Sequence, residues 1–295
     1  MDLEEKAVMR LQEGVRMSKQ LYDGAPLMIT YSGGKDSDVV AELAVRHLPH
    51  EDFEIVNSHT TADAPQTVRY IRERFKQWES QGVKCSIVYP TYKGKRATMW
   101  NLIPQKMMPP TRLVRYCCEI LKETSGQNRF TSTGVRWDES VKRKNNRGIY
   151  EALAKKQNDR IILLNDNDDR QMLESCIKQN TRVVNPIVDW EENDVWDYLK
   201  DIKCVSNPLY YCGFDRVGCI GCPMAGKKVL FEFKMFPAYK KMYLHAFDRM
   251  LKTRKNRGKP PFADGTAEGV FEWWTNPQYD PLQIKLEDVV GDDDE

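Results

Sequence analysis

The stretch from Leu27 to Val40, LMITYSGGKDSDVV, constrains this chain more than any other. Leu27, Met28, Ile29, Thr30 and Tyr31 form an apolar run that reads as a buried parallel strand. Val39, Val40, Leu43, Ala44 and Leu48 then recur at helical spacing. Between the two, Ser32, Gly33, Gly34, Lys35, Asp36 and Ser37 must turn a strand end into a helix start. Such a turn suits an anion: the first helical N–H groups lack partners and the helix dipole adds partial positive charge. Gly33 and Gly34 let the backbone approach a phosphate without a Cβ clash. Ser32 and Ser37 offer hydroxyls, Lys35 a point charge, and Asp36 a carboxylate for a magnesium ion. The competing reading is a plain strand–turn–helix capped by Ser or Asp.

The string is not the G-x-x-x-x-G-K-S/T of a Walker A loop. SGGKDS resembles SGGxDS, the PP-loop signature of the adenine nucleotide alpha-hydrolase superfamily. That resemblance implies an α/β fold with a doubly wound, mostly parallel, Rossmann-like sheet. The nucleotide would lie at the carboxyl edge of the strands, at a topological switch point. It also implies action at the alpha phosphate of ATP with release of pyrophosphate, or binding of a sulfonucleotide. Ser32 to Ser37 are then the nucleotide-binding candidates. Lys35 would stabilise charge developing on the phosphates, and Asp36 would hold magnesium.

Three later stretches are similar to phosphoadenylyl-sulfate reductases. GVRWDES, Gly134 to Ser140, resembles their GxRxxES. The likeness implies that Arg136 meets an acidic group of the nucleotide, a task its two-pronged guanidinium suits. NPIVDWEENDVWDYL resembles PI-x-DW…DVW-x-YL, and its Trp190, Val195, Trp196 and Leu199 are expected to pack a helix on the sheet. Thr60 to Thr67 resembles DTG…PET, with Asp63 displaced from the usual aspartate and given no role.

Eight cysteines are many for a protein of the reducing cytoplasm, where disulfides are rare, so metal or redox chemistry is the better reading. Cys117 and Cys118 are adjacent, and Cys219 and Cys222 form a C-x-x-C. Four thiolates suit either zinc or an iron–sulfur cluster. CC followed by a distant C-x-x-C in a PP-loop chain looks like the subset of sulfonucleotide reductases and sulfur-transfer proteins that carries a 4Fe-4S cluster. Adjacent ligands are strained, so Cys212 is an alternative to Cys117 or Cys118. Cys85, Cys176 and Cys204 read as core or spare thiols. No cysteine follows Cys222, whereas assimilatory reductases use a nucleophilic one near the C-terminus.

The expected organisation is an N-terminal helix over 1–24, a PP-loop domain with the cluster site over 25–225, a basic helical and aromatic region over 226–285, and an acidic, disordered tail over 286–295. Strands are expected at 53–57, 85–89, 130–135 and 161–164, and a Met- and Pro-rich loop over 100–110. No apolar run approaches the roughly 20 residues of a membrane helix, and the charged N-terminus is no signal peptide, so the expected location is cytoplasmic. Lys227 to Lys259 holds eleven Lys and Arg against two acids, which suits DNA or RNA. A sulfur donor protein is a further possible partner. The leading expectation is an ATP-dependent enzyme that splits the alpha–beta phosphate bond in sulfur transfer or nucleic-acid modification. Adenylyl-sulfate or phosphoadenylyl-sulfate reductase is the alternative, and a non-catalytic nucleotide-binding subunit the third reading.

Overall fold

A computed structural model describes residues 2–153, 161–164 and 181–276. Cys176 and the expected tail at 286–295 lie outside the described residues. The chain forms two compact units. One comprises Met1–Ser58, Pro65–Val88 and Ser125–Val217, the other His59–Ala64, Tyr89–Thr124 and Gly218–Glu295. These units cut across the linear segments expected from the sequence: the cysteine pairs group with the C-terminal helices, not with the sheet.

The first unit is built on a seven-stranded sheet. Its strands are β1 (Leu27–Thr30), β2 (Phe53–Ser58), β3 (Lys84–Val88), β6 (Phe130–Ser132), β7 (Tyr150–Leu153), β8 (Ile161–Leu163) and β9 (Thr181–Val184). Their order is β3-β2-β1-β6-β9-β7-β8. β1 pairs in parallel with β2 and β6, β2 with β3, and β6 with β9. Only β7 runs antiparallel to its neighbours β9 and β8. The expected mostly parallel α/β sheet is therefore present. Chain order reverses direction at β1, so the crevice beyond the ends of β1 and β6 is the switch point of the sheet.

Among the described residues of this unit, the α-helices are α1 (Leu3–Leu21), α2 (Lys35–His47), α3 (Pro65–Glu79), α6 (Val141–Asn146) and α7 (Glu192–Asp201). α1 starts with a capping box: Glu5 N donates to Asp2 Oδ1 and Asp2 N to Glu5 Oε2. It buries Ala7, Leu11 and Val15, as its apolar spacing predicts. On the same buried face Arg10 donates to Asp189 at 2.6 Å and to Pro186 O at 2.9 Å. That anchors the segment leading into α7. Val39, Val40 and Leu43 of α2 join Ile29, Ile55, Phe75 and Trp78 in one apolar core. Trp190, Val195 and Leu199 are buried there too, as expected.

The second unit has a short hairpin, β4 (Thr91–Tyr92) with β5 (Lys95–Arg96), and helices α4 (Met99–Lys106), α5 (Tyr116–Leu121), α8 (Val229–Met235), α9 (Pro237–Asn256) and α10 (Ala267–Thr275). α4 replaces most of the loop expected at 100–110. Thr98 and Asn101 form a capping box that starts it, although Pro104 lies inside it. The aromatic cluster of α10 packs, as expected: Trp274 lies 4.7 Å from the Tyr243 ring and 5.4 Å from Phe247, and its Nε1 donates to Pro110 O at 2.7 Å. Among the described residues no helix is long and apolar enough to cross a membrane.

Candidate functional site

The turn from β1 to α2 begins with Gly33 at φ +72°, a left-handed conformation. A Cβ there would also stand 2.9 Å from Ile71 Cγ1. Gly33 is therefore required by backbone and packing together. Gly34 is the N-cap of α2, and no side chain caps the helix. Ser37 turns inward instead and donates to Gly34 O at 2.7 Å. Ser32 Oγ lies 3.3 Å from Ser37 Oγ. Two residues from far along the chain fix the turn: Asn207 Nδ2 donates to Gly33 O at 2.9 Å, and Lys35 N donates to the Tyr210 hydroxyl at 2.9 Å. Gly134, after β6, completes the crevice. A Cβ on it would stand 2.8 Å from the Asp36 backbone, so glycine permits this close approach.

Lys35 and Arg136, the two candidate cations, come together around shared carboxylates. Arg136 is buried; it donates to Asp36 at 2.7 Å and to Glu192 at 2.7 Å, and Asp138 lies 3.4 Å away. Lys35 Nζ lies 3.3 Å from Glu192 and 3.8 Å from Asp36, and faces the Trp196 and Tyr210 rings at 5.9 and 5.7 Å. Burial alone would raise the Glu192 carboxyl, but Lys35 and Arg136 together hold it below its ordinary range. Asp36, expected to hold magnesium, is thus ion-paired here, and Arg136, expected to meet the nucleotide, is held by protein carboxylates. Glu192 lies in the NPIVDWEENDVWDYL stretch and Asn207 and Tyr210 in NPLYYCGFDRVGCIGCP, which resembles the family's PLY…G…C-x-x-C ending, but sequence reasoning gave none of them a place in the site.

Asp38, one turn into α2, was missed as well. It is fully buried and accepts from Tyr31 at 2.6 Å and Tyr70 at 3.0 Å. Burial pushes its carboxyl up to about 7, against the tyrosine hydrogen bonds and the charge of Arg74. In an unfolded chain the group titrates near 3.8. Between those values the folded state binds the extra proton, so stability falls as pH rises from about 4 to about 7. The drop attributable to this group is roughly 4 kcal/mol. Asp38→Asn keeps the shape and cannot ionise. Urea midpoints at pH 5 and pH 8 should show the variant gaining on the parent protein at the higher pH; a constant difference would refute the buried-acid assignment.

The cysteine site belongs wholly to the second unit. Cys117 and Cys118 lie in the first turn of α5, and Cys219 and Cys222 in the loop before α8. Cys117 is raised, first by its hydrogen bond with Cys118 and by burial, and then by the charges of Cys118, Cys219 and Cys222. Cys118 is pushed down to about 5, first by a hydrogen bond from Cys117 and then by the charges of Lys122 and Arg115. Arg115 Nη2 donates to Cys118 Sγ at 3.0 Å. Burial pushes Cys219 up to about 12, with Lys122 opposing. Cys219 also donates to Thr60 Oγ1 at 3.5 Å and to Asp63 Oδ1 at 3.6 Å, and its backbone bridges to Asp63. The segment around Asp63 therefore builds the cysteine site. Cys212 is exposed and belongs to the other unit, on the short 3-10 helix Pro208–Cys212. Among the described residues no group of three or more His, Cys, Asp or Glu is placed to hold a single metal ion.

A strand–glycine turn–helix at a switch point, with a lysine at the first helical position, is the arrangement of an α/β protein of the PP-loop type. Residues 26–225 match the phosphoadenosine phosphosulfate reductase domain, and the chain belongs to that family. An uncharacterized protein of Methanocaldococcus jannaschii is 26% identical over 280 residues, 92% of this chain. The chain spans 57% of that relative's length, so it corresponds to little more than half of it. Adenosine 5'-phosphosulfate reductase of Burkholderia cepacia is 46% identical over 41 residues, 14% of this chain and 16% of that protein. Among solved structures, the U34-tRNA thiolase NcsA of Methanococcus maripaludis with its 4Fe-4S cluster aligns at a TM-score of 0.41 and 14% identity, covering 86% of this chain and 81% of that one.

Proposed function

We propose that the protein is an ATP-dependent enzyme that cleaves the alpha–beta phosphate bond and adenylylates an acceptor. The observation that carries this reading is the SGGKDS turn, set at the switch point with Lys35 as the first residue of α2. In the reaction an acceptor atom forms a bond to the alpha phosphorus as the bond to the beta-phosphate oxygen breaks. Pyrophosphate leaves with the electron pair of that bond. Lys35 and the first-turn N–H groups would offset the charge that accumulates, and Asp36 would bind magnesium once freed from Arg136. Exposed lysines of the second unit, among them Lys227, Lys228, Lys234 and Lys241, favour a nucleic acid as acceptor. ATP with candidate RNA or DNA should yield pyrophosphate and no ADP. ADP with inorganic phosphate would remove the reading.

The donor set fits a 4Fe-4S cluster on Cys117, Cys118, Cys219 and Cys222, because ligation needs thiolates and Arg115 and Lys122 supply the offsetting positive charge. Zinc is the alternative occupant. When bound, the cluster would relay sulfur or brace the second unit. The short match to adenosine 5'-phosphosulfate reductase supports a second reading, reduction of a sulfonucleotide. Thioredoxin-dependent sulfite release would favour that reading over adenylylation.

A further inference from the structure

Glu192 is the first residue of α7, and its two oxygens do different things. Oε2 accepts from Arg136 Nη2 at 2.7 Å. Oε1 accepts from Trp196 Nε1 at 3.1 Å and lies 3.3 Å from Lys35 Nζ. One carboxylate therefore bridges both cations of the crevice. The two cations are fixed, with side chains 7% and 2% exposed, whereas the Glu192 side chain is 47% exposed. Only the glutamate can leave by rotating into solvent. Its backbone stays in place meanwhile, because Glu192 N donates to Asp138 Oδ2 at 3.1 Å.

We infer that Glu192 is a resident anion of the cradle: its carboxylate takes the position of a phosphate group, and a nucleotide is admitted by displacing it. The inference rests on the anion-binding reading above and adds a specificity to it. Lys35 and Arg136 bring two positive charges; Asp36, Asp138 and Glu192 bring three negative ones. These five groups carry a net charge of −1, so an incoming monophosphate finds no uncompensated cation. A ligand with two or more linked phosphates brings enough charge to take both cations from Glu192. Displacing the resident carboxylate costs each ligand the same, so a polyphosphate, with its larger gross attraction to the two cations, retains appreciable affinity where a monophosphate does not.

Calorimetric titration of pyrophosphate, AMP and adenosine into the parent protein and Glu192→Gln, in EDTA and then in magnesium, tests this. Glutamine keeps the size and one acceptor oxygen, enough for either Arg136 or Trp196, but carries no charge. In EDTA the variant should bind pyrophosphate about ten-fold tighter. AMP should gain by a comparable factor, because it must displace the same carboxylate, while adenosine is unmoved. Glu192→Asp, which keeps the charge on a shorter reach, should fall between the two. Weaker pyrophosphate binding by Glu192→Gln in EDTA would overturn the inference. Weakening confined to magnesium would make Glu192 a metal ligand and overturn it equally. Equal gains for adenosine and AMP would assign the residue a purely structural part. Should neither protein bind pyrophosphate or AMP, the nucleotide reading itself fails and this inference with it.

Discussion

Alanine at position 35 should lower pyrophosphate release from ATP by about two to three orders of magnitude, the range for losing one preorganised charge or donor at a transition state. Lys35 is nearly buried, 5% exposed, between the Trp196 and Tyr210 rings, so its charge is poorly screened. The loss acts twice. Lys35→Ala removes the charge facing the leaving phosphates, and it leaves Asp36 and Glu192 with Arg136 as their remaining partner in this cluster. Nucleotide binding should therefore weaken along with turnover. Lys35→Arg should keep part of the binding and little of the rate, because the larger planar guanidinium spreads the charge that the ammonium concentrates at one point. Single-turnover measurement separates the two effects. Turnover that survives Lys35→Ala would end the adenylylation proposal, even if ATP still bound.

The second large effect concerns Cys219. Protein purified without oxygen should carry iron and inorganic sulfide, and Cys219→Ser should lose most of both. Cys219 is part-buried, hydrogen-bonded to Thr60 and Asp63, and bridged to Asp63 through its backbone. A serine there removes a ligand without making space for a substitute. Cys212→Ser is the decisive control. Cys212 is exposed on the other unit, so its loss should leave iron content unchanged. An equal loss of iron in both variants would restore Cys212 as a ligand and displace Cys117 or Cys118. Zinc without iron in the parent protein would remove the iron–sulfur proposal and leave the four thiols as a zinc site.

Much of this architecture was legible because its signals are local. An apolar run, two glycines and a 3.6-residue periodicity sufficed to place β1, the turn and α2. Trp190, Val195 and Leu199 showed their packing face in the same way. The site's bracing was not legible, because it depends on residues distant in sequence. Tyr210 meets Lys35 across 175 positions and Asn207 meets Gly33 across 174. Glu192 reads locally as an ordinary acid in the first turn of a helix, where the dipole favours one. Only the approach of Arg136 from another loop gives it a second role. α4 was hidden by Pro104, whose usual effect on a helix was outweighed by the cap at Thr98. β7 is short and antiparallel, and it was not expected although Asn145, Asn146 and Gly148 precede it.

The alternation of segments between the two units has a consequence for how the chain is made. The backbone passes from one unit to the other five times, at 58/59, 64/65, 88/89, 124/125 and 217/218. Neither unit is a continuous stretch that a ribosome could deliver finished. Cys118 emerges about a hundred residues ahead of Cys219, several seconds at ordinary rates of synthesis. Whatever the four thiols hold must be inserted after most of the polypeptide exists, and until then Cys117 and Cys118 wait without their partners.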